Sequence, residues 1–222
     1  MDRSEPTWSP DGERFAYLRY NEATLYVVSI HERQEIPVAK TGKFGGYPAW
    51  SPDGETIAFT FSPKAPEGPV LRGDLPGYPL ILISPQGQKQ KEILPKPQLR
   101  LTRPAWSPSG DQIAFAEDPW IAGEKGTIYI VNPDGSGMKV VTPKGADADR
   151  PAWSPRGDEL IYEQDVDNER QLFKITLSNR RTIQITNNGR NSYADWFDPA
   201  ALPVTSQAQL LTTTWGKLKG EQ

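Results

Sequence analysis

Pro48-Ala49-Trp50-Ser51-Pro52-Asp53-Gly54 decides the fold, because the phrase returns in register three more times. Its other copies are Pro6-Thr7-Trp8-Ser9-Pro10-Asp11-Gly12, Pro104-Ala105-Trp106-Ser107-Pro108-Ser109-Gly110 and Pro151-Ala152-Trp153-Ser154-Pro155-Arg156-Gly157, with a degenerate Ala194-Asp195-Trp196-Phe197-Asp198-Pro199 after them. The tryptophans are 42, 56, 47 and 43 residues apart, the period of a four-stranded propeller blade. Within each copy, proline presets the second position of a tight turn and glycine takes the left-handed backbone that other residues avoid. The chain therefore reverses direction after every tryptophan.

Beyond each turn, at a constant offset, the residues are strand-like: Arg14 to Leu18, Thr56 to Thr60, Gln112 to Ala116 and Glu159 to Glu163, rich in β-branched and aromatic types. Third strands are expected at Thr24 to Ser29, Leu80 to Ser84, Thr127 to Asn132 and Gln171 to Thr176. Fourth strands are expected at Glu35 to Ala39, Lys91 to Leu94, Met138 to Thr142 and Thr182 to Thr186. No long window has a 3.6-residue apolar period, so little helix is expected. The fold class is all-β, a β-propeller of four-stranded antiparallel blades. It has four full repeats at about 6–47, 48–103, 104–150 and 151–193 and a short degenerate fifth at 194–222, read as one domain over 1–222.

The phrase Pro-x-Trp-Ser-Pro-x-Gly, with its Ile-Ala-Phe strand, Ile-Tyr-Ile strand and Val-Thr ending, resembles the WD40-like repeat of the bacterial TolB-like propeller family over residues 6 to about 193. That resemblance implies blades around a central channel. It further implies a periplasmic or extracellular setting and protein partners such as a peptidoglycan-associated lipoprotein, although the family's N-terminal domain has no counterpart here. In such a blade each tryptophan would bury about 150–250 Å² between neighbours, roughly 4–6 kcal/mol gross. Trp8, Trp50, Trp106, Trp153 and Trp196 are accordingly expected in the core. Two readings of the ends stand: a small closed ring of four blades plus a short fifth, or a C-terminal piece of a longer propeller. The open form would leave the flank of blade one uncovered and allow self-association.

Composition narrows the function classes. With 25 basic and 28 acidic residues and a net charge of -3, no general attraction to nucleic acid is expected. The longest aliphatic run, Leu80 to Ile83, is too short for membrane insertion, and Met1 to Glu5 lacks the pattern of a signal peptide. Cysteine is absent, which removes disulfides and thiolate sites but leaves the compartment open. His31 is the only histidine and falls in an expected turn; neither a zinc motif nor a Gly-x-Ser-x-Gly elbow is present. No catalytic residues are assigned.

The Ser-Pro-x-Gly turns share one face of a propeller, so the length changes collect on the other, where binding is expected. Candidate binding residues there are Arg72 and Tyr78 in the 62–79 insertion, Trp120 in a loop of blade three, and Arg103 and Arg150 directly before the repeat proline. Two arginines at equivalent places could clamp an anion or pair with nearby acids such as Asp149. Asp165, Asp167 and Glu169 alternate in an expected loop and could hold calcium through oxygen ligands; no other cofactor is indicated. The expected function is a non-catalytic propeller module that binds a protein or peptide. The alternative is a carbohydrate-active or lyase-type enzyme using carboxylates at the channel mouth.

Overall fold

A computed structural model describes residues 3–42, 46–61, 77–88, 90–94, 100–117, 125–143 and 145–196. It contains four antiparallel sheets of four strands. Blade one is β1 (Arg3–Trp8), β2 (Arg14–Arg19), β3 (Thr24–Ser29) and β4 (Glu35–Lys40). Blade two is β5 (Gly46–Trp50), β6 (Ile57–Thr60), β7 (Leu80–Ile83) and β8 (Gln90–Glu92). Blade three comprises β9 (Leu101–Trp106), β10 (Ile113–Glu117), β11 (Thr127–Val131) and β12 (Lys139–Val140). Blade four comprises β13 (Ala148–Trp153), β14 (Glu159–Val166), β15 (Glu169–Thr176) and β16 (Thr182–Gln184). Among the described residues there is no α-helix, only a 3-10 turn at Tyr20–Glu22.

Every Ser-Pro-x-Gly turn is closed the same way. Gly12 N–H donates to Ser9 O at 2.9 Å, and the Ser9 hydroxyl accepts from Arg14 N–H at 2.9 Å while donating to the Asp11 carboxylate. In blade two, Ser51 donates to Asp53 at 2.5 Å. Blades three and four lack that aspartate and place one two residues later, where Asp111 accepts from Ser107 and Asp158 from Ser154, both at 2.9 Å. Each turn thus keeps one carboxylate on its serine, although the carboxylate comes from two different positions.

Blades stack through three apolar layers. Ala16, Leu25 and Val27 of blade one meet Trp50, Ile57, Phe59 and Ile83 of blade two; Ala58, Leu80 and Leu82 meet Ile113, Phe115 and Val131; Ala114, Ile128 and Ile130 meet Trp153, Leu160, Tyr162 and Ile175. The tryptophans also tie the layers with hydrogen bonds to the preceding blade: Trp50 Nε1 to Thr7 O at 3.1 Å, Trp106 Nε1 to Ala49 O at 3.2 Å and Trp153 Nε1 to Ala105 O at 2.9 Å. The expectation of five core tryptophans needs correction. Trp50 and Trp153 are buried and Trp106 half-buried, but Trp8 is 59 % exposed, because among the described residues no blade covers its side of blade one. Trp196 is half-buried against blade four, its ring 5.8 Å from the Lys174 ammonium.

Turns between third and fourth strands are constrained by the same stacking. A Cβ at Gly135 (φ +91) would lie 2.4 Å from Ile93 O, and one at Gly87 (φ +74) 2.7 Å from Val38 O. Only glycine permits that approach. Among the described residues, no strand of blade four makes extended contact with blade one.

Candidate functional site

The first strands of successive blades lie against one another, β1 with β5, β5 with β9 and β9 with β13, so equivalent residues on them form a row. Each of these strands carries a bulge before its Ala-Trp or Thr-Trp pair, between Gly46 and Ala49 in blade two, Thr102 and Ala105 in blade three, and Asp149 and Ala152 in blade four. The repeat proline sits in the bulge, where its missing N–H costs no ladder bond. The residue before it takes a left-handed conformation: Tyr47 (φ 55), Arg103 (φ 51) and Arg150 (φ 50), with Tyr193 (φ 61) continuing the series. Bulges redirect side chains, and here they bring tyrosines and arginines together.

Arg103 lies with its guanidinium carbon 4.8 Å from the centre of the Tyr47 ring and bonds Asp149 at 2.5 Å. Arg150 lies 4.3 Å from the centre of the Tyr193 ring, bonds the Tyr193 hydroxyl at 3.2 Å and reaches Glu163 at 2.7 Å. Glu163 is 1 % exposed and accepts a second hydrogen bond from the Tyr193 main-chain N–H at 2.7 Å. A carboxylate so buried is stable only when paired and bonded in this way. Chemically the row offers flat cation-on-ring surfaces whose charges are already balanced by Asp149 and Glu163. Tyr193, 72 % exposed, stands furthest into solvent.

Of the residues singled out from sequence, Arg103 and Arg150 are brought together in this row. Tyr78 is 3 % exposed, forms a parallel bridge to Arg100 and lies under its guanidinium at 4.9 Å, next to the start of blade three. Arg72 and Trp120 lie outside the described residues. The expected loop holding Asp165, Asp167 and Glu169 is instead a tight hairpin turning at Asp167 (φ 51) and Asn168 (φ 66), with Val166 opposite Glu169 and Asp165 paired to Arg170 at 3.4 Å. Among the described residues no group of three His, Cys, Asp or Glu side chains is placed to hold a metal ion. His31 is exposed.

Sequence reasoning missed Glu163 as a site residue. A signal was present: across the first strand pair, the position of Glu163 is held by Leu18, Thr60 and Ala116 in the other blades. A charge in a row that is otherwise uncharged marks a specific partner, here Arg150.

Solved structures share this architecture. The putative TolB from Agrobacterium tumefaciens aligns with a TM-score of 0.65 at 20% identity, covering 88% of this chain and 64% of that one. An oligogalacturonate lyase in complex with manganese aligns at 0.61 and 15% identity over 84% of this chain and 53% of the lyase. A chain of the nidogen/laminin complex aligns at 0.62 and 10% identity over 83% of this chain and 65% of its own. This chain therefore spans between about half and two-thirds of the length of these proteins. No protein-family model and no curated protein matches the sequence. At such identities the likeness concerns the fold alone, and that fold is a TolB-like β-propeller.

Proposed function

We propose that the chain is a non-catalytic module that binds a protein or peptide at the row formed by Tyr47, Arg103, Arg150 and Tyr193. One observation carries the reading: the bulges of three successive first strands, with Tyr193 after the last blade, stack tyrosine rings on arginine planes, with the arginine charges met by Asp149 and Glu163. Tyrosine and arginine are the residues that dominate protein-binding hot spots, because they offer broad contact at small ordering cost. A charge-balanced row of this kind favours a peptide that lays apolar or aromatic groups on the rings over a free polyanion.

Selection of peptides from a displayed random library, then affinity measurement on variants, tests this. Selected peptides should lose at least about tenfold in affinity, about 1.4 kcal/mol, on Tyr193→Ala and on Arg103→Ala. Peptides that bind wild type and both variants equally would overturn it. Turnover of a polyuronide with added manganese would favour the enzymatic alternative.

A further inference from the structure

We infer that Asn188-Gly189 is a site of self-modification: Asn188 deamidates through a cyclic imide to isoaspartate, and the lengthened main chain releases Tyr193 from Arg150. This chemistry is independent of whether the row binds a peptide.

Imide formation needs a side-chain amide that can move and, after it, a main-chain N–H that is neither hindered nor engaged. Of the seven asparagines only Asn188 is followed by glycine, which has no side chain to obstruct the ring. Both residues are exposed, and open space surrounds the Cβ position of Gly189 (φ +63). Among the described residues, neither the Asn188 side chain nor the Gly189 N–H makes a hydrogen bond.

Other places where such a ring could form are held. Asp11-Gly12, Asp53-Gly54 and Asp134-Gly135 have the right residue types, but each glycine N–H is donated within its own turn, to the carbonyls of Ser9, Ser51 and Asn132 at 2.9 Å. Asn191-Ser192 is held through its amide. Asn191 Nδ2 reaches Asn188 O at 2.9 Å, Gly189 O at 3.2 Å and Gln171 Oε1 at 3.2 Å. One asparagine is clamped, and the one three residues before it is loose.

The reaction needs only the chain and water. Gly189 N bonds to Asn188 Cγ, the Cγ–Nδ2 bond breaks, and the side-chain nitrogen leaves as ammonia with the proton from the glycine N–H. Water then opens the ring at one of its two carbonyls. Opening at Cγ gives aspartate. Opening at the former main-chain carbonyl gives isoaspartate, in which the main chain runs through Cγ, one carbon longer, beside a free carboxylate.

That extra carbon falls in a span tied at both ends. Before it, the Thr186 hydroxyl accepts from Leu172 N–H at 2.9 Å and donates to Gln171 Oε1 at 2.8 Å. After it, Asn191 N–H donates to Arg170 O at 2.8 Å. Between them Gly189 O accepts from Gln171 Nε2 at 2.7 Å. Gln171 is 2 % exposed, so pulling Gly189 away would leave a buried donor unmet. The strain is relieved at lower cost by displacing the residues after Gly189. Tyr193 lies at the end of that stretch, held by its N–H on Glu163 and by its ring and hydroxyl on Arg150.

Incubating the full chain in mildly alkaline buffer, then mapping its peptides by mass and by isoaspartate methyltransferase labelling, tests the site; hydrogen exchange on the separated forms tests its effect. Asn188 should convert at least about tenfold faster than Asn191, which must first break its bonds, and Asn188→Gln should block conversion. In the isoaspartate form, exchange at the Tyr193 N–H should rise at least about tenfold while strand β2 is unchanged. Asn188→Asp adds the charge without the extra carbon and should leave Tyr193 as in wild type. Equally fast conversion at Asn191 or at an Asp-Gly pair would overturn the site. Isoaspartate with unchanged exchange at Tyr193, or Asn188→Asp freeing Tyr193 to the same degree, would overturn the coupling.

Discussion

The indole N–H of Trp153 donates to the main-chain carbonyl of Ala105 across 2.9 Å, joining blade four to blade three. Trp106 and Trp50 make the same bond one and two blades earlier, to Ala49 and Thr7. The tryptophan of the repeat is therefore both core volume and a directional fastener. It sets the offset between neighbouring sheets, which apolar contact alone leaves free to slide.

Removing the fastener should cost stability in proportion to burial. Trp153→Ala is expected to lower unfolding free energy by about 3–5 kcal/mol. Trp153→Phe gives up a smaller share, of which about 0.5–1.5 kcal/mol is the hydrogen bond. Trp8→Ala, at the same point of the repeat but 59 % exposed, should cost no more than about 1 kcal/mol. Urea midpoints at constant m-value measure all three, and equal losses at Trp8 and Trp153 would refute the assignment.

Turn carboxylates predict the acid limb. Hydrogen bonds from Ser9, Ser51 and Ser109 hold Asp11, Asp53 and Asp111 below their ordinary pKa. Folding therefore favours their charged form, and the stability they add is full above the unfolded pKa of about 3.9 and lost as pH falls through the lower folded values. A combined Asp11→Asn, Asp53→Asn, Asp111→Asn variant should have a lower urea midpoint at neutral pH and a flatter decline below about pH 4. An unchanged acid limb would show that the serine bonds do not persist in solution.

Much of the fold is legible because the repeat fixes offsets: the third strand Thr24–Ser29 lies where expected, and every second strand starts within one residue of expectation. Fourth strands are less so. The expected Met138 to Thr142 shrinks to Lys139–Val140, since an outermost strand has a partner on one side only and Val141 bonds Ile128 O outside the regular ladder. By composition Asp167-Asn168 reads as part of a loop, although such a pair suits a two-residue hairpin that needs positive φ at both places. The exposure of Trp8 is hidden because its phrase matches the others, and burial depends on what stands beside it. Glu163 is hidden because its partner Arg150 is thirteen residues away and is brought opposite only by strand pairing.

Two glycines with similar backbones should respond differently to a methyl group. Gly12 (φ +72) has open space at its Cβ position, so Gly12→Ala incurs only the left-handed penalty, about 1–2 kcal/mol. Gly135 (φ +91) would place its Cβ 2.4 Å from the carbonyl oxygen of buried Ile93. Gly135→Ala must therefore also push blade three away from blade two, at a total of roughly 3 kcal/mol or more. Thermal unfolding of the two variants side by side checks the order, and an equal loss would mean that the blades part without cost.

Glu163 holds both Arg150 and the main chain of Tyr193 while 1 % exposed, so its removal should be felt in two ways. Glu163→Ala leaves a partly buried guanidinium without its main partner and should cost about 3–5 kcal/mol. Glu163→Gln keeps an oxygen for the Tyr193 N–H and should cost less, so hydrogen exchange at Tyr193 should rise far more in the alanine variant than in the glutamine one. Replacing both partners, Arg150→Met with Glu163→Leu, removes the buried charges together and copies the apolar choice of Leu18 in blade one. Stability should then recover to within about 1 kcal/mol of wild type, while Tyr193 stays exchange-prone because nothing accepts its N–H. Recovery of both properties in the double variant would show that Tyr193 is held by packing rather than by the carboxylate.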